Sequence, residues 1–113
     1  RQMCIRDSHN PDAVRESINA EFALAFALIE NHYFINNGFL DNENQLLDNI
    51  DNIRDIPSII IQGRYDVVCP PTTAYELHSR WPESQLVIAP FSGHSAFEKE
   101  ITHELIEATN KFI

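Results

Sequence analysis

The sequence predicts an α/β domain built on parallel strands. Residues 58–62 (Ser-Ile-Ile-Ile-Gln) and 86–89 (Leu-Val-Ile-Ala) are short apolar runs without polar alternation, as expected of strands covered on both faces. A helix-forming stretch follows each run, so the order from residue 58 onward is strand, helix, strand, helix, the alternation that builds parallel crossovers. Asp66 and His94 each stand a few residues past a run, where loops gather functional groups in open parallel sheets.

Residues 1–10 have no apolar segment of the kind that forms a signal peptide and do not share the periodicity that follows; they read as a non-native or disordered N-terminus. Residues 11–31 favour helix, with Asn10 as N-cap, Pro11 at the first helical position and Asp12 in the first turn. Apolar residues crowd 22–29 around the whole circumference, which predicts a helix buried on more than one side and places Glu30 beside a protected interior. Asn36-Asn37-Gly38 tolerate left-handed backbone and end the element. A second helix is predicted over 43–53, where Leu46, Leu47, Ile50 and Ile53 share a face. Asp55-Ile56-Pro57 closes it. Pro70-Pro71 opens a helix over 72–81, and Ile101, Leu105, Ile106, Ala108 and Phe112 line a closing helix. Two strands leave two open edges, so the pair is expected to lean on further strands outside this sequence.

Composition narrows the function classes. With 43% apolar residues the chain packs a core, and eight Lys plus Arg against seventeen Asp plus Glu give a net charge of −9, which disfavours nucleic acid and anionic membrane. The longest apolar run is about a third of a membrane span. Cys4 and Cys69 form no C-x-x-C pair and no disulfide framework, so a reducing compartment, the cytoplasm, is expected. His9, His32, His78 and His103 lack zinc-ligand spacing, and there is no P-loop or dinucleotide fingerprint; neither a metal nor a cofactor is expected. Cys69, after Val67-Val68, reads as a buried packing residue.

Equal offsets from adjacent parallel strands bring Asp66 and His94 together. A carboxylate bonded to one imidazole nitrogen fixes the tautomer, and the other nitrogen can then take a proton from a serine hydroxyl. No G-x-S-x-G elbow occurs in the 113 residues, so two members of a triad are present without the nucleophile. Aspartate before histidine, with an elbow serine upstream, is the chain order of the α/β-hydrolases.

On these residues the sequence resembles the proline iminopeptidases (prolyl aminopeptidases), α/β-hydrolases that remove an N-terminal proline. Residues 56–70, with Gly63-Arg64-Tyr65-Asp66-Val67-Val68-Cys69-Pro70, look like the family's acid-bearing region, and Gly93-His94-Ser95-Ala96-Phe97-Glu98 like its histidine loop. Phe22-Ala23-Leu24-Ala25-Phe26-Ala27-Leu28-Ile29-Glu30-Asn31-His32-Tyr33-Phe34 resembles its cap segment. The resemblance implies a C-terminal β-α-β-α portion of the α/β-hydrolase core at residues 56–113, preceded by part of the helical cap at 11–55. It implies Asp66 as triad acid, His94 as general base and then acid, and Glu30 as a carboxylate for the substrate's ammonium. The partners it implies are a peptide with N-terminal proline and the missing N-terminal part of the same fold. The family's tryptophan and second acidic residue upstream of the cap helix are not recognisable in residues 1–8, which leaves that half of the amine site unassigned. The chain alone is expected to be inactive. An esterase-like hydrolase and a non-catalytic binding fragment stay open as alternatives.

Overall fold

The computed structural model describes residues 20–113. The predicted cap at Asn10, the helix start at Pro11 and the reading of residues 1–10 lie outside the described residues. Helix α1 spans Ala20–Ile35, four residues beyond its predicted end, because Tyr33-Phe34-Ile35 continue it without a breaker. It ends where the Asn36 side-chain amide donates to the His32 carbonyl (2.8 Å) and Asn37, Gly38 and Phe39 all take positive φ. Asn and Gly accept that region readily, whereas Phe39 is an uncommon occupant. Its ring is held edge-on against Tyr33, centroids 5.5 Å apart, and lies against His32.

The burial predicted for α1 is not met among the described residues. Phe22, Leu24, Leu28, Ile29, Phe34 and Ile35 are each more than half exposed, and the helix packs chiefly on the turn that follows it. An all-round apolar pattern says what a helix requires, not whether its partner is in the same sequence.

The helix predicted over 43–53 is also corrected. It is one turn, α2 (Gln45–Asp48), then a 3-10 turn at Ile50–Asn52. The break is at Asn49, whose side-chain amide donates to the Gln45 carbonyl at 2.6 Å and takes the acceptor that a continuing helix would use. Of the four residues predicted to share a face only Ile50 is buried, and Leu46 is 65% exposed.

From residue 59 onward the order is as predicted. Strand β1 (Ile59–Gly63) pairs in parallel with β2 (Gln85–Ala89), in a register that runs from Ile59 opposite Gln85 to Gly63 opposite Ala89. Between them α3 (Pro71–Arg80) starts at a proline, whose fixed φ suits the first helical position. α4 (Lys99–Asn110) closes the chain, and both helices contact both strands. The core they form holds Ala74, Trp81, Ala89, Ile101 and Ala108. Trp81 also donates from its indole nitrogen to the Arg54 carbonyl, and Arg54 pairs with Glu83 at 2.7 Å, tying the residue 50–54 segment to the α3–β2 junction. The strands are half-buried rather than covered on both faces, with Ile88 41% exposed, because the described elements do not enclose the pair. No helix among the described residues is long and apolar enough to cross a membrane.

Candidate active site

Parallel pairing sets the carboxyl ends of β1 and β2 at one edge, and the loops leaving them are bonded backbone to backbone. Arg64 N–H donates to the Ala89 carbonyl at 3.0 Å and Tyr65 N–H to the Ser92 carbonyl at 2.9 Å. The approach is so close at Gly63 that a methyl group there would overlap the Gly93 carbonyl oxygen and press on that of Ser92. Asp66 and His94 follow three and five residues past the strand ends, and these contacts bring them together.

Asp66 is 8% exposed and fully engaged. Its Oδ1 accepts from the backbone N–H groups of Cys69 (2.8 Å) and Val68 (3.0 Å), and its Oδ2 from the Gln62 amide at 3.3 Å. His94 Nδ1 lies 3.1 and 3.0 Å from the two oxygens. Burial alone would raise the carboxyl's pKa, but the Cys69 N–H, the His94 ring and the Val68 N–H together outweigh it and hold the pKa below the usual value. An ionised carboxylate has no proton to give, so Nδ1 carries the hydrogen, and Nε2 is the nitrogen able to exchange a proton with a nucleophile.

The loop carrying His94 is clamped by two carboxylates that the sequence reading did not assign. Glu98 accepts from the backbone N–H of Gly93 (3.0 Å) and Ser95 (3.2 Å), on either side of His94. Glu100 accepts from Phe91 N–H at 2.9 Å and from the Ser92 hydroxyl at 3.1 Å. Both acidic groups stand at the start of α4, where the helix dipole favours negative charge. The only sequence signal available was the acidic pair placed just after the histidine loop.

One other residue is placed differently from its expectation. Cys69 is exposed rather than buried, because the loop turns its backbone N–H inward onto Asp66. Glu30 is half-buried on α1. His78 bonds the Ser84 hydroxyl at 2.9 Å, a structural role.

An Asp–His pair at adjacent parallel strand ends is an arrangement that nucleophilic hydrolases use, and the TAP-like protein family matches residues 40–107, which hold all of it. The chain belongs to the TAP-like protein family of α/β-hydrolases. It is 55% identical over 101 residues to a proline iminopeptidase of Xanthomonas citri, covering 89% of this chain and 32% of that protein. Identity is 50% over 102 residues to a proline iminopeptidase of Arabidopsis thaliana, with 90% and 27% covered, and 40% over 103 residues to one of Neisseria gonorrhoeae, with 91% and 32%. The chain therefore spans about a third of the length of the curated relatives it matches. The resemblance read from the acid, histidine and cap segments is borne out.

The Asp66 environment couples folding to pH. Its pKa is lower folded than unfolded, so its stabilisation is complete above the unfolded value of about 3.9 and is lost as pH falls through the folded value. Urea melts followed by circular dichroism should show a steeper loss of stability below about pH 4 in the parent than in Asp66→Asn. Equal slopes would assign the acid sensitivity to other carboxylates.

Proposed function

We propose that this chain is the cap helix and C-terminal core portion of a serine-type proline aminopeptidase, which releases N-terminal proline from peptides. The observation that carries the reading is the His94 Nδ1 contact of 3.0 Å to a buried, ionised Asp66 at the carboxyl edge of the sheet. The names of the relatives supply the substrate class.

In the proposed reaction Asp66 holds the Nδ1–H tautomer, and His94 Nε2 accepts the proton of a serine hydroxyl as its oxygen attacks the prolyl carbonyl carbon. Nε2 then gives that proton to the leaving amine nitrogen. A water deprotonated by the same nitrogen next cleaves the acyl-enzyme. The serine and the oxyanion donors belong to the part of the same fold outside this chain, in keeping with the lack of a G-x-S-x-G elbow here. That part also covers the apolar faces of α1 and the open edges of the sheet, so residues 11–55 act as cap and 56–113 as core. Glu30 pairs with the prolyl ammonium. The scarcity of cysteine supports a reducing compartment such as the cytoplasm.

The test compares the full-length protein with the 113-residue chain on a proline arylamide. Turnover in the full-length protein alone, abolished by a serine-directed phosphonate, is expected. Turnover by the isolated chain would sink the reading. So would a full-length protein that cleaves N-acetylated proline arylamide as fast as the unblocked one, which would favour the esterase-like alternative. No turnover and no phosphonate labelling would favour a binding module.

A further inference from the structure

One ligating atom from each of Asp66, Cys69 and His94 lies within 4.8 Å of the other two, and no other such group of three occurs among the described residues. We propose that these three side chains form a site for a thiophilic divalent cation, Zn2+ in the first place, whose binding withdraws His94 from proton transfer.

Thiolate, imidazole and carboxylate together are a donor set that suits zinc and cobalt, whereas magnesium and calcium require oxygen shells. Donors about a tetrahedral zinc, with bonds of about 2.0 to 2.3 Å, stand about 3.3 to 3.8 Å apart. To reach these spacings from a span of up to 4.8 Å, the site would have to close by rotation of the exposed Cys69 side chain about its Cα–Cβ bond. The main chain beneath it is already fixed. Cys69 N–H donates to Asp66 Oδ1 at 2.8 Å, and the Gln62 amide donates to both the Cys69 carbonyl (3.1 Å) and Asp66 Oδ2 (3.3 Å). Such outer contacts orient ligands before the ion arrives. Three protein donors leave a fourth position for water, and binding sends one proton to solvent, from the thiol, while the single imidazole hydrogen moves from the Nδ1 that faces Asp66 to Nε2, which can then no longer accept a proton. The sequence spacing of the histidines gave no hint of the site, because its three members come from two loops that meet only through strand pairing. The effect on turnover rests on the proposed catalytic role of His94; the binding itself rests on the three side chains alone.

Cobalt(II) is the probe, titrated into the 113-residue chain and read by its thiolate-to-cobalt charge-transfer band and the visible bands of a four-coordinate ion. The parent and Cys4→Ser should show both bands at one equivalent, and Zn2+ but not excess Mg2+ should remove them. Cys69→Ser should lose the charge-transfer band, and both it and His94→Gln should bind cobalt at least about tenfold more weakly. Absence of the bands in the parent, their persistence in Cys69→Ser or their loss in Cys4→Ser would overturn the proposal. The readout involves no turnover, so an inactive full-length protein would refute the peptidase reading and leave this result standing.

Discussion

Asp66→Asn in the full-length protein is expected to lower kcat/KM for a proline arylamide by about 10⁴-fold, the loss a serine protease suffers when the same carboxylate becomes an amide. The hydrogen bonds around Asp66 dictate the mechanism. Oδ1 accepts the N–H groups of Val68 and Cys69, so the amide oxygen of asparagine must keep that position. Its NH2 group then occupies the place of Oδ2 and points at His94 Nδ1 and the Gln62 amide, which both now face a donor. The ring relieves this by shifting its hydrogen to Nε2, the tautomer unable to take a proton from serine. Near neutral pH the variant should fold but be somewhat less stable, since it lacks the stabilisation the ionised carboxylate gives there, and the catalytic loss should fall in kcat with little change in KM. A fall of less than about tenfold would mean that another carboxylate orients His94.

Glu30→Gln should produce the second largest effect, and a selective one. In the full-length protein the rest of the fold is proposed to close over α1, so an ammonium paired with Glu30 is desolvated and its loss costs on the order of 2 to 5 kcal/mol in kcat/KM. A small neutral ester uses the serine, His94 and Asp66 but presents no ammonium, and its hydrolysis should change far less. The measurement is the ratio of the two substrates' kcat/KM in variant and parent. An equal fall in both would show that Glu30 supports the fold or the dyad and does not read the amine.

What could be read from the sequence follows from where each determinant lies. The strand runs, the proline that opens α3 and the Asn-Gly break after α1 are local, fixed by β-branched side chains, a locked φ and tolerance of left-handed backbone. The Asp66–His94 pair is long-range, yet legible, because parallel pairing carries both loops to one edge. The break at Asn49 was hidden because apolar spacing does not register a side chain competing for a backbone carbonyl. Glu98 and Glu100 act on backbone N–H groups, which have no residue-type signature in the sequence. Cys69 was misplaced because its valine neighbours suggested packing, whereas the turn around Asp66 determines which way the thiol faces. The exposed flanks of α1 show the remaining limit: apolar pattern specifies a demand for burial that elements outside the chain can meet.

The contact between Gly63 and the Gly93 carbonyl also acts as a key for strand alignment. A slip of one residue would seat Gln62 or Arg64 beneath that oxygen, and a slip of two would seat Ile61 or Tyr65, so every neighbouring alignment puts a side chain where only hydrogen fits. A two-residue slip would also carry Asp66 about 6.6 Å from its place beside His94, at about 3.3 Å per residue. The position that admits β1 beside β2 in one alignment is thus the position that guarantees the acid meets its base, and a chain that misaligns its strands is refused at the same contact before it can present a mispaired dyad.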